Sequence, residues 1–175
     1  MNDSLLRFYI GSGADHRGRT LAEILRQSDD WMEVTHDYVQ WLFPLPELSR
    51  ASVHAPLLDV QTCQAFHTDE LLRRHLQASV ARMIRFFGLT FDGVTLGQAA
   101  NWSARCGDWY TVSTHNSLRI TRMLRCMSLL GLQVDARALS AGLALLCDDP
   151  ACGITAESRQ FWQAAVIGTS TNRRT

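Results

Sequence analysis

Apolar residues recur at spacings of three and four along most of this chain, and the polar punctuation between those runs sets the expected element boundaries. Thr20 followed by Glu23 matches a capping box, predicting a short helix from Leu21 to about Gln27. Ser28, Asp29 and Asp30 start another helix, which Pro44 ends at about Phe43. Within it Trp31, Val34, Tyr38, Trp41 and Leu42 form one apolar stripe, and Glu33, His36, Asp37 and Gln40 lie off it. Asp59 caps a short helix through Phe66, and the longest helix runs from Thr68 or Asp69 to Phe87 before the stop at Gly88. Its core stripe is Leu72, Leu76, Val80, Met83, Ile84 and Phe87.

Residues 89 to 97 read as a loop or brief turn, because two glycines bracket a very short β-like run, and a helical turn carrying Trp102 follows. A helix from about Asn116 to Leu130 buries Ile120, Met123, Leu124, Met127 and Leu130, while Arg119, Arg122 and Arg125 form a second stripe at spacing three. Asp135 caps a helix to about Cys147, and a last one from Thr155 to Ile167 buries Phe161, Trp162 and Ala165. The pattern predicts an all-α, compact single-domain bundle of about seven helices over residues 20–167. Residues 1–19 form an N-terminal arm laid on the core, and 168–175 a disordered tail.

Composition adds constraints. With 175 residues, 46% of them hydrophobic, the chain can bury a core of its own. Zero formal charge gives no support for nucleic-acid or membrane-surface binding, and no window approaches the roughly 18 apolar residues of a membrane span. The opening MNDSLLRFYI lacks a basic leader and a long apolar run, so no export signal is expected. Five cysteines at irregular spacing fit reduced thiols in a cytoplasmic compartment. All seventeen basic residues are Arg, which favours bidentate carboxylate pairing and equally reflects a GC-rich bacterial codon supply. Residues 1–49 hold eight acids against four Arg and residues 50–137 ten Arg against six acids, so the two regions should attract.

Two constellations carry the candidate chemistry: His36, Asp37, Gln40 and Trp41 on the early helix, and His115, Asn116, Arg119 and Arg122 at the start of the later one. Their structural reading is a buried network in which Arg119 and Arg122 pair with Asp37 or Glu33. Their functional reading is an anion site, since an Asn at a helix start with two Arg along one face suits a carboxylate such as a peptide's C-terminus. Cys63 with His67, and Cys147 with Cys152, lack the further ligands a metal site needs. No phosphate-binding glycine loop, HExxH or GxSxG occurs, so no cofactor and no metal are expected.

The stretches HDYVQWLFPLPELS from His36, HAPLL from His54, FFGL from Phe86 and HNSLRITRML from His115 resemble the conserved region of the opioid growth factor receptor family, over about Phe8 to Leu146. That resemblance implies an α-helical domain and receptor-type binding of an enkephalin-like opioid peptide. In animals it implies perinuclear or nuclear-membrane association. The chain is thus expected to be a binding module for a peptide or anionic small molecule, with a protein partner as a further option. Two other readings stay open. An acid-base enzyme would bring His36 and His115 together in one open pocket. A protein-interaction scaffold would show an exposed apolar patch and no concave site.

Overall fold

The computed structural model describes residues 1–49 and 52–167, and the tail expected at 168–175 lies outside them. Among the described residues there are ten α-helices and one two-stranded hairpin. Residues expected as an arm form α1 (Asp3–Ile10), capped by the Asn2 side chain on Leu5 N–H and ended by Gly11 at φ +81°. Leu5, Phe8 and Tyr9 of α1 are fully buried, so it is a core element. The capping box forms as expected at α2 (Leu21–Leu25).

The predicted helix from Asp29 to Phe43 is broken into α3 (Asp29–Val34) and α4 (Val39–Leu42), with Thr35 extended between them. The β-branched pair Val34 and Thr35 disfavours continuation. The break turns Val34 out to 74% exposure, while Tyr38, Trp41 and Leu42 stay buried. A continuous apolar stripe was therefore the wrong expectation for Val34.

Asp59 caps α5 (Val60–Thr68), and Asp69 caps α6 (Glu70–Phe86). Gly88 leaves α6 at φ +75°, and a Cβ there would meet Trp102 Cα at 2.9 Å, so both conformation and space call for glycine. Residues expected as a loop form a hairpin of β1 (Leu89–Phe91) and β2 (Leu96–Gln98), antiparallel with Leu89 opposite Gln98. Asp92 Oδ1 builds its turn by accepting from the N–H groups of Val94 and Thr95. After α7 (Trp102–Arg105) and a 3-10 turn, Thr114 caps α8 (His115–Leu129).

α9 (Gln133–Leu146) begins two residues before Asp135, with Leu132 at the cap, and α10 (Ala156–Val166) closes the bundle. Asp135 thus sits in the first turn of its helix and is not the cap. Trp162 of α10 is buried and donates to Ser117 O at 3.0 Å, whereas Phe161 is half exposed, contrary to expectation. α6 and α8 supply the centre, where Leu72, Leu76, Met83, Ile120, Leu124 and Met127 are buried. Among the described residues, three arginine–carboxylate ion pairs join the acidic and basic regions: Arg82 with Asp29 (2.7 Å), Arg105 with Glu33 (3.2 Å) and Arg125 with Glu47.

Candidate functional site

The break between α3 and α4 leaves carbonyls without intrahelical partners, and the arginines of α8 supply the donors. Arg119 Nη1 donates to Met32 O (3.0 Å), and its Nη2 donates to Glu33 O (3.4 Å) and Thr35 O (3.0 Å). The Tyr38 hydroxyl also donates to Met32 O (3.1 Å). The Arg119 guanidinium lies over the rings of Tyr38 and Phe86, at 5.8 and 5.6 Å, and burial lowers its pKa. One turn on, Arg122 Nε donates to Phe43 O (2.7 Å) at the end of α4. Neither arginine pairs with Asp37 or Glu33, so the expected carboxylate pairing is replaced by capping of backbone carbonyls.

Beside these arginines is a cavity of about 330 Å³, lined by His36, Val39, Gln40, Leu48, Ser49, His115, Leu118, Arg119 and Arg122. Five of the eight sequence candidates, His36, Gln40, His115, Arg119 and Arg122, meet there. Gln40 is buried, and with its amide oriented so that the nitrogen faces the carbonyls of His36 (3.1 Å) and Asp37 (3.2 Å) it donates to both and fixes the interhelix turn. The His36 and His115 rings are 4.9 Å apart, inclined at 61°. His115 Nε2 lies 3.3 Å from Glu33 Oε1, and burial, followed by the Arg119 charge, lowers its pKa. Arg122 Nη2 is buried without a hydrogen-bond partner among the described residues. Such a donor is costly to leave unpaired.

The other three candidates lie away from the cavity lining. Asp37 faces the N-terminal segment, where it holds Arg19 (2.8 Å), Arg17 (3.2 Å) and His16 (3.3 Å); despite partial burial, these partners lower its pKa. Trp41 is buried, packs on Phe8 and donates to His16 Nδ1 at 3.2 Å. Asn116 is fully buried and donates to both Glu33 oxygens at 3.2 Å. Glu33 is therefore a hub for Arg105, Asn116 and His115, a role its sequence position alone does not signal.

A larger cleft of about 840 Å³ opens between α6, the hairpin and the start of α9. Sequence reasoning missed it, because Val80 and Ile84 carry the same helical spacing whether protein or open space lies opposite. Both concavities depart from a scaffold lacking concave sites. Among the described residues no group of three or more His, Cys, Asp or Glu is placed to hold a metal, and all five cysteines are free.

Comparison with known proteins gives one consistent result. The profile of the opioid growth factor receptor (OGFr) conserved region matches residues 4–173. The chain is 35% identical over 107 residues to an opioid growth factor receptor of Mus musculus, covering 59% of this chain and 17% of that protein. It is 33% identical over 109 residues to one of Homo sapiens, covering 59% and 16%. It is 38% identical over 103 residues to an opioid growth factor receptor-like protein 1 of Mus musculus, covering 57% and 22%. The chain thus matches only about a fifth of the length of these relatives. No solved structure matches it.

Proposed function

Because the chain belongs to the opioid growth factor receptor conserved-region family, we propose that it is a receptor-type binding module whose cavity between α4 and α8 takes the carboxylate of a short peptide or an anionic small molecule. One observation carries this reading: Arg122 lines the cavity with a buried Nη2 that no described residue accepts from. An incoming carboxylate supplies the missing acceptor. Phe43 O fixes Nε, so the ligand meets the remaining edge of an already oriented guanidinium. His36 and His115 flank the anion, while Val39 and the exposed Leu48 and Leu118 offer apolar surface to the adjoining side chain. Arg119 adds charge behind the site, but its donors already serve three carbonyls.

The relatives' name motivates an opioid pentapeptide as the first probe. Its thermal shift is compared with those of a scrambled pentapeptide, nucleotides and divalent metals, in wild type and in Arg122→Gln. Stabilisation of wild type by peptide, absent in Arg122→Gln relative to that variant's own melting temperature, supports the site. Equal peptide shifts in both proteins overturn it. Stabilisation by opioid and scrambled sequences alike assigns a general carboxylate reader, and stabilisation by the opioid sequence alone assigns the receptor activity in the relatives' name.

The paired imidazoles favour a second reading, acid-base catalysis at the same cavity, with Glu33 orienting His115. It predicts turnover that vanishes in His36→Asn while anion binding persists. Free thiols fit a reducing, cytoplasmic compartment, and no described helix is long and apolar enough to cross a membrane. The exclusive use of arginine fits a bacterial source.

A further inference from the structure

Along α6, Gln77, Val80, Ala81, Ile84 and Arg85 share one face at helical spacing, and that face borders the large cleft. Val80, Ile84, Leu89, Met127 and Leu132 are all buried, yet all line it, so its floor reaches the core. At about 840 Å³ it falls within the range of preformed small-molecule sites. The charged residues of its lining are Arg85, Asp92 and Asp135. Burial decides which sign of charge matters there. Arg85 is exposed and water already solvates it. Asp135 is half-buried beside Leu132 and has no ion-pair or hydrogen-bond partner among the described residues, so an incoming cation gains most from it. Asp92 on the hairpin side is exposed like Arg85, and its carboxylate already accepts from the backbone N–H groups of Thr95 and Val94, so the preference rests on Asp135.

We propose that this cleft is a second binding site, separate from the arginine cavity, for an amphiphile with an aliphatic body and an ammonium head. The body lies on Val80, Ala81 and Ile84 of α6, and the head meets Asp135. Isothermal titration of the full chain with n-octylammonium, 1-octanol and octanoate, each below its aggregation concentration, tests this. Octylammonium is expected to bind about tenfold more tightly than octanoate, with octanol between them. Asp135→Asn should abolish the preference while retaining octanol binding. Ala81→Trp, a change at an exposed position on the cleft wall, should remove octylammonium binding without altering the circular dichroism spectrum. Arg122→Gln should leave octylammonium binding unchanged, which keeps the outcome independent of the anion cavity. Tighter octanoate binding, an unchanged preference in Asp135→Asn, full affinity in Ala81→Trp, or no binding by any probe overturns the proposal.

Discussion

The arginine cavity and the α6 cleft stand on opposite solutions to the same problem. At the first, a broken helix exposes backbone carbonyls, and side chains from an element more than 70 residues away satisfy them: Arg119 on Met32, Glu33 and Thr35, and Arg122 on Phe43. At the second, the helix is regular, and apolar side chains such as Val80 and Ile84 line a space that no described element fills. Polar groups at the cavity are mostly committed to the fold, so its binding capacity rests on what is left over, chiefly the Arg122 edge. Apolar groups at the cleft already stabilise the core on one side and remain open on the other. A charged residue in a concave site is therefore weak evidence of a ligand until its hydrogen bonds are accounted for.

The largest expected effect tests the first half of that contrast. Arg119→Ala leaves the part-buried carbonyls of Glu33 and Thr35 without this donor and Met32 O with only the Tyr38 hydroxyl, and should cost about 3–5 kcal/mol in urea unfolding. A loss under about 1 kcal/mol would show that the polar centre is not structural. Truncation of buried aliphatic residues sharpens the second half. Leu124→Ala, in the sealed core, should cost about 4 kcal/mol, whereas Ile84→Ala on the cleft wall should cost only about 2 kcal/mol, because it enlarges an open space instead of creating a closed one. Equal costs would mean that the cleft is sealed in solution.

Smaller effects follow at Arg122 and His115. Arg122→Gln removes one carbonyl partner and should cost about 1–2 kcal/mol in chemical unfolding, less than Arg119→Ala. The His115 pKa is lowered in the folded protein, so on acidification the unfolded chain takes up its proton first. Its contribution is therefore present above about pH 6.5 and is lost as pH falls through the folded value. His115→Gln should flatten that part of a stability-pH profile, and an unchanged slope would rule the contribution out. Anion binding should respond in the opposite direction, tightening as the imidazole protonates.

Much of the bundle was legible because its signals are local. The caps at Thr20, Ser28, Asp59, Asp69 and Thr155, and the stop at Gly88, each act within a turn of their own helix. Charge asymmetry also gave a correct long-range result, since Asp29, Glu33 and Glu47 pair with Arg82, Arg105 and Arg125. The break after Val34 was hidden because Trp31, Val34, Tyr38 and Trp41 satisfy helical spacing, while Arg119, which stabilises the break, lies in a distant element, and spacing does not show that the Tyr38 hydroxyl turns back to Met32 O. Five candidate site residues converge because α4 and α8 face one another there. Asp37, Trp41 and Asn116 diverge because nearby partners, Arg19, His16 and Glu33, claim them.

Calorimetric comparison of a pentapeptide bearing a free C-terminal carboxylate with its C-terminal amide, in wild type and Arg122→Gln, tests the central claim most directly. The free acid should bind wild type at least about tenfold more tightly than the amide, and Arg122→Gln should erase that difference. Equal binding of acid and amide to wild type, or an acid preference that survives in Arg122→Gln, would contradict the account.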